Sequence, residues 1–418
     1  MERKIETYDS AEEFLKDLEE KRLAGIFNDR SILNIKNTEF NFKIEIPLSS
    51  KIGHLSTTLN KYFSSGKQIF SNCIFNEKVT INSSQKEIFF NNNCEFKKQL
   101  KVKSRHSNLI FHNSKINNLD VSESVFGKDA NGLGKLRLKK CTVKNSNFKN
   151  ATFYSLVDFY QTTFEESVIF NKTDFLNVLV LSAAKFKSNM LFTYTLLNDK
   201  VIMRGTKFFK GFDISLAIIK GELALFDITL DDKNFEVEKG EVSEENYEDF
   251  VANKGVIPIE NKRETYRVLK YEYDKLKSIP ESLYFKVLEQ RTYRTILNKK
   301  ANNIHERFDW LNLWLNDWSS IYGTSYLRAF LFTILIGLLF FNLSLISTDL
   351  FAFSFNPIEW EIAEGAKYFV QFLIPTHKFD YLGNKVDTGT AFYILDFVGR
   401  LLVGYGIYQF IQAFRKYK

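Results

Sequence analysis

Proline is scarce in this chain, five residues among 418, and glycine is modest at 19. That excludes a Pro/Gly-rich disordered polymer. Cysteine is scarcer still. Three residues without a CxxC pair exclude a disulfide scaffold and a tetrahedral zinc knuckle. Only five histidines occur (His54, His106, His112, His305, His377), scattered, and no HExxH, GxSxG, GxxxxGKS/T or GxGxxG string is present. His106 and His112 stand six apart among basic and polar residues and read as surface histidines of strands or turns. No nucleophile has a base beside it, so the expectation is a protein that is not an enzyme and uses no metal or cofactor. The stretch MERKIETYDSAEEFLKDLEEKRLAG lacks the apolar core of a signal peptide, which leaves the N-terminal part in the cytosol. At about 150 residues per domain, the length leaves room for about three units.

Phenylalanine, by contrast, is in excess at 42 residues, and this points to repetition with an aromatic filling. From Phe148 apolar residues return every 11 positions: Phe148, Phe159, Phe170, Leu181, Phe192, Met203, Ile214 and Leu225. A second series follows five later, at Phe153, Phe164, Phe175, Phe186, Leu197, Phe208, Ile219 and Leu230. Three after each leading position stands a small residue (Ala151, Thr162, Thr173, Ala184, Thr195, Thr206, Ala217), with Ile228 the exception. Upstream, Phe70-Cys73-Phe75, Phe111-Ser114-Ile116, Val121-Ser124-Phe126 and Leu138-Cys141-Val143 repeat the element at less regular spacing. An apolar-x-apolar pair is one side of a strand, and the small residue suits a tight corner. Two such halves make a ~22-residue coil, and stacked coils supply each other's core. Residues 70–230 should give about seven coils, roughly 34 Å of stacked strands. Cys73 and Cys141 hold the small slot, a packing position.

The phrases FYQTTF (159–164) and FNKTDF (170–175) resemble the pentapeptide-repeat proteins, in the variant that alternates steps of five and six. The resemblance implies a mainly β fold, a right-handed quadrilateral β-helix with Phe or Leu stacked inside. It says little about function, since a solenoid offers a surface rather than a site.

Charge is unevenly spread. Residues 97–149 hold 13 basic side chains, among them Lys97, Lys98, Lys101, Lys103, Arg105, Lys135, Arg137, Lys139, Lys140 and Lys144, against the acids Asp120, Glu123 and Asp129. This stretch carries +10 within a chain of +7, so the remainder sums to −3. Arg137 and Lys139 flank Leu138, and Lys101 and Lys103 flank Val102, so on strands these cations point outward. A focused basic face attracts polyanions; a merely solubilising surface is the alternative. Pentapeptide-repeat proteins that resemble DNA bind topoisomerases through an acidic face. This basic one instead implies binding of an anion such as DNA or a nucleotide oligomer. Residues 231–249 hold nine acids and two Lys and read as a solvated, flexible cap rather than a segment docked on the basic face.

From Lys262 the period turns helical through Tyr266, Leu269, Tyr273 and Leu276, and Pro280 can open a second helix. Trp310, Trp314 and Trp318 recur every fourth position, a stripe suited to a helix at the lipid headgroups or to ordinary helix packing. Ala329–Thr348 is 20 residues without a charge, the length needed to cross a bilayer. A second span, Thr390–Phe414, is apolar apart from Asp396 and Arg400 and is followed by Arg415, Lys416 and Lys418. Between the spans, residues 365–383, and 364–375 in particular, are too short to cross and read as re-entrant or interfacial. Charges inside an apolar helix are costly and tend to face a bundle interior or water. Asp396 and Arg400 therefore either neutralise each other or serve a pore or a subunit contact. The string Val403-Gly404-Tyr405-Gly406 matches part of a potassium filter but lies inside the last helix, where no pore loop can present it.

The expected organisation is a mixed N-terminal cap (1–66), a β-solenoid (67–230), an acidic linker (231–261), a helical neck with an interfacial helix (262–326) and a two-span membrane domain (327–418). The strings TYRVLKYEYDKLKSIPESLYFKVLEQ and SIYGTSYLRAFLF, with the terminal span, resemble a group of bacterial pentapeptide-repeat membrane proteins. Their layout is similar to that of anti-phage membrane effectors. The resemblance implies a multi-pass protein of the bacterial inner membrane with both termini cytoplasmic, its solenoid sensing a ligand and controlling a pore. Two helices cannot enclose a channel, so a closed homo-oligomer such as a tetramer is required, and a partner enzyme encoded nearby would supply the signal. The alternative is a membrane-tethered scaffold that binds a protein through its solenoid and uses the spans as a passive anchor.

Overall fold

The computed structural model describes residues 5–23, 32–48, 66–82, 86–103, 105–128, 133–233, 235, 244–300, 303–348, 362–383, 386 and 388–415. Residues up to Val268 form one compact unit and those from Leu269 a second.

The first unit is built from short strands that stack in parallel into sheets of twelve, nine, five and three strands. One coil shows how the chain visits them. It passes through Val157–Asp158 in the nine-stranded sheet, Thr163–Phe164 in the twelve-stranded, Val168–Asn171 in the three-stranded and Asp174–Phe175 in the five-stranded sheet. It then returns at Leu179–Val180, which pairs in register with Val157–Asp158. Because rungs lie about 4.8 Å apart, identical residues on successive rungs stack face to face. Phe164, Phe186 and Phe208 form one such column, with ring centroids 5.2 and 5.4 Å apart and planes within 9°. Phe126, Phe153 and Phe175 form another at 4.9 and 5.2 Å. The leading series from Phe148 to Leu225 is buried throughout; the second is buried except at Ile219.

The small slot does more than fit a corner. Thr173 Oγ1 donates to the Phe148 carbonyl at 2.8 Å and Thr206 Oγ1 to the Leu181 carbonyl at 2.9 Å, so the hydroxyl ties its coil to the one before. Thr162 and Thr195 make the same bond to Leu138 and Phe170. Ser124 does so upstream, to Val102 at 2.7 Å. Cys73 takes this place, its thiol donating toward the Ile35 carbonyl at 3.7 Å, and Cys141 sits buried in the same slot. Burial pushes the Cys141 thiol up to about 12. The residue just before the slot is left-handed at nearly every corner: Asn72, Asn93, Asn113, Lys140, Asn150, Gln161, Lys172, Ala183 and Tyr194 all have φ between 50° and 67°. Asn tolerates this region well; Ala and Tyr do so at a cost.

Three features depart from the sequence-based expectation. The ladder begins before residue 67, since Ile32–Lys36 pairs with Lys67–Ser71, Thr38–Phe40 with Ile74–Phe75, and Glu6–Tyr8 with Thr38–Phe40. Helix α1 (Ala11–Leu23) closes this end by laying Phe14 on Phe40 at 5.1 Å. A coil at Phe90, Cys94 and Phe96, whose corner holds one residue more than the repeat spacing allows, is in place and stacked. The described part of 231–261 is not a free cap. Helix α2 (Glu244–Glu248), a π-turn (Asp249–Asn253) and the first half of α3 (Ile259–Lys275) cover the three-stranded sheet, burying its outward residues Asn171, Leu191, Thr193 and Asp213. Asn189 donates to the Gly255 carbonyl at 2.9 Å, Lys172 pairs with Glu248 at 2.9 Å, and Asp213 accepts from Asn261 and Thr265. Among the described residues, the segment thus docks on the three-stranded sheet, with Glu248 paired to Lys172.

The second unit is helical. The second half of α3 is followed by α4 (Ile279–Lys300), with Pro280 in its first turn, α5 (Ile304–Ser320), α6 (Tyr326–Ile346), α7 (Ile362–Phe372) and α8 (Thr390–Phe414).

Two substitutions check the corner chemistry. Ala183→Gly relieves a left-handed alanine and should raise stability by ~1 kcal/mol. Thr173→Val keeps the shape but loses the coil-to-coil bond and should lower stability by about 1 kcal/mol, with Thr173→Ser largely restoring it. Thermal denaturation of the full chain in detergent, followed by circular dichroism, reads both.

Candidate functional site

The ten basic residues do not form one patch. Lys97, Lys98, Lys101 and Lys103 lie on strand Glu95–Lys103 and Lys144 on Thr142–Asn147, both in the twelve-stranded sheet. Arg137 and Lys139 lie on Leu136–Lys139 in the adjoining nine-stranded sheet, Lys135 just ahead of it, and Lys140 at the left-handed corner between the two faces. Arg105 sits in the connection from Glu95–Lys103 to Asn108–His112. Part of the charge is met internally. Lys98 pairs with Glu77 at 2.6 Å and Lys101 with Asp120 at 3.6 Å, while the buried Asp158 carboxylate lies 3.4 Å from Lys139 and 4.0 Å from Arg137. Lys97, Lys103, Lys140 and Lys144 remain exposed. The result is an edge of solvated cations around one corner, able to make point contacts to phosphates but not to grip a base.

Trp310 is half-buried, whereas Trp314 and Trp318 are exposed and stack at 5.8 Å. Trp318 also meets Phe332 of α6 edge-on at 5.2 Å. The C-terminal end of α5 is fastened to α8 by buried polar groups. Tyr405 Oη and Gln409 Nε2 both donate to Asn316 Oδ1, at 2.9 and 2.7 Å, and Ser320 Oγ donates to Gln409 Oε1 at 2.7 Å.

Helices α6 and α8 are long and apolar enough to cross a membrane. They run antiparallel, Tyr326 meeting Phe414, Phe330 meeting Phe410 and Phe332 meeting Tyr405. Glycine lets them approach: a Cβ on Gly406 would fall 2.4 Å from Thr333 Oγ1, and one on Gly399 2.6 Å from the Phe372 ring and 2.9 Å from Phe340 Cβ. The latter gap admits α7, whose Phe372 is fully buried against Phe341 and Val403.

The segment after α7 completes a charged cluster. Asp396 is fully buried; Arg400 Nε donates to its Oδ2 at 2.6 Å, and His377 Nε2 lies 3.0 Å from its Oδ1. His377 Nδ1 lies 2.8 Å from the Ile374 carbonyl, so the ring bridges that carbonyl and the Asp396 carboxylate. The Arg400 guanidinium also lies over the Phe379 ring at 3.9 Å, and Tyr381 stands edge-on to His377 at 4.6 Å. Burial first, and then the Asp396 charge, pushes the Tyr381 phenol well above its ordinary value, with Arg400 opposing.

A family model described as Pentapeptide repeats (9 copies) matches residues 138–185. The coils around Phe148 to Phe186 are therefore repeats of that type, laid down as stacked parallel strands. No curated protein and no solved structure matches the chain.

Sequence reasoning singled out Asp396 and Arg400 but left His377 among the scattered histidines. Nineteen residues separate it from Asp396, and no periodicity links a turn to a helix across such a gap. The Asn316–Tyr405–Gln409 clamp was missed for the same reason, although three polar residues within otherwise apolar stretches are a signal in themselves.

Removals within the buried cluster should not be additive. Asp396→Asn leaves Arg400 and His377 without an anion and should destabilise the chain by about 3 kcal/mol. Asp396→Asn with Arg400→Gln should cost clearly less than the sum of the single changes. A double-mutant cycle of unfolding midpoints in detergent measures the coupling.

Proposed function

We propose that this protein is a non-enzymatic membrane effector, in which a right-handed quadrilateral β-helix senses a ligand and controls an ion-conducting pore formed by a closed homo-oligomer. The reading is supported above all by the His377–Asp396–Arg400 cluster, formed where the segment after α7 meets the apolar helix α8. Charges are retained at such depth when they serve a bundle interior or a conduction path. The layout adds to this: α6, a short amphipathic helix wedged at Gly399, then α8, is the arrangement of two-span channels. In this proposal the protein is multi-pass in a bacterial inner membrane, with both termini cytoplasmic, and acts in anti-phage defence beside a signal-producing enzyme. Trp314 and Trp318 face the headgroups.

The ligand proposed for the solenoid is a polyanion such as DNA or a nucleotide oligomer, bound by the exposed lysines at the corner. Contacts to phosphates alone give little sequence preference and strong salt dependence. Changing Lys97, Lys140 and Lys144 to Glu should lower the log–log salt slope of oligonucleotide binding by about 2–3, at 0.7–0.9 per contact. No binding at low salt, or a slope untouched by the changes, rejects this ligand.

Ion flux through purified protein in liposomes tests the pore. Flux should appear, and the Asp396→Asn, Arg400→Gln pair should change it at least tenfold at equal insertion. Absence of conductance with and without oligonucleotide, or flux indifferent to the pair, would leave the membrane-tethered scaffold with a passive anchor.

A further inference from the structure

Where α8 ends beside the start of α6, a cavity of about 310 Å³ opens between α4, the turn before α6 and the last turns of α8. Leu283, Lys286, Tyr408, Ile411, Gln412 and Arg415 line it. The turn contributes only backbone at Gly323, whose φ is +77° and whose missing Cβ would press on Gln412 at 3.0 Å. Two of the lining groups are cations. Burial, and then the neighbouring Lys270, pulls the Lys286 ammonium below its ordinary value. Asp274 and Glu289 favour its charge, but both are committed elsewhere: Asp274 accepts from Ser282 at 2.5 Å and Glu289 pairs with Lys270 at 2.7 Å. An anion entering the cavity would therefore find Lys286 without an ion-pair partner among the described residues, and Arg415 exposed at the rim.

Apart from Gln412, the rest of the lining is largely apolar. Tyr408 and Ile411 are 61 % and 50 % exposed and project from the flank of a helix long enough to cross a membrane, so an anion seated here has a greasy surface leading away from it. Nucleotides and free phosphate have no use for that surface; a phospholipid has. We propose that this cavity binds the headgroup phosphate of an anionic phospholipid, with Lys286 and Arg415 holding the phosphate and an acyl chain lying along Tyr408 and Ile411. The proposal rests on α8 spanning the bilayer, but not on the protein conducting ions.

The test uses the full chain in nanodiscs of mixed phosphatidylglycerol and phosphatidylcholine, with lipid retained after gentle extraction counted by native mass spectrometry. Phosphatidylglycerol should be enriched at least fivefold over phosphatidylcholine, and Lys286→Met or Arg415→Gln should each cut that enrichment below twofold. The exposed Arg415 variant carries the test if Lys286→Met fails to fold. Equal retention of both lipids, or enrichment that survives both changes, overturns the site. Glycerol phosphate in solution competing as well as the lipid would assign the cavity to a soluble phosphate ester and overturn the lipid reading. A chain that never enters the nanodisc overturns the spanning reading and this site with it.

Discussion

The rise from one strand to the next in a parallel ladder is fixed by backbone hydrogen bonding, and the N-terminal unit follows from that spacing. Each residue sits one rung from its counterpart in the next coil, so whatever fills a position must also tile at about 4.8 Å. Phenyl rings do this face to face, which is why Phe153, Phe175, Phe164 and Phe186 recur. Threonine does it at the corner by reaching back to a carbonyl of the previous coil. The same carbonyl of Phe148 also accepts from the Ala151 amide at 3.1 Å, and that of Leu181 from Ala184 as well as Thr206, so these corners close on themselves and onto their neighbours at once.

That constraint explains how much of the fold the residues disclose. Where coils follow without insertion, from Phe148 on, identity repeats at fixed spacing and the period can be read directly. Upstream the same structure is present but its signal is broken: the corner at Asn92-Asn93 carries an extra residue, and the phrase Ile35-Asn37-Thr38-Phe40 stands apart from the next coil by a long insertion. An asparagine ahead of the small slot, at positions 37, 72, 93, 113 and 150, was the legible clue there, because it marks the left-handed corner rather than the core.

The helical unit obeys other rules and was legible in another way. Length and apolar composition disclosed α6 and α8, and Pro280 the start of α4. The further partners of the charges within α8 were not legible, since His377 and Phe379 reach Asp396 and Arg400, and Tyr381 reaches His377, by folding back rather than by periodicity. The basic stretch was legible as charge but not as arrangement. Asp158, outside residues 97–149, answers Arg137 and Lys139 from one rung away, which leaves the exposed cations at the corner and on the adjoining face.

The two units therefore tolerate change in length very differently. In the coils, Phe164 lies over Phe186 and Phe186 over Phe208, each a full 22 residues on, and every coil presents the next with the same platform. Adding or removing one whole coil would leave every column in place, whereas a change of 11 would carry each residue to the opposite face. Length in the solenoid is thus quantised, and evolution can lengthen or shorten it in whole steps without inventing a new core. Helix α8 has no such freedom. Its Asp396 and Gln409 bind partners on different elements, and one inserted residue between them would swing one partner about 100° around the axis.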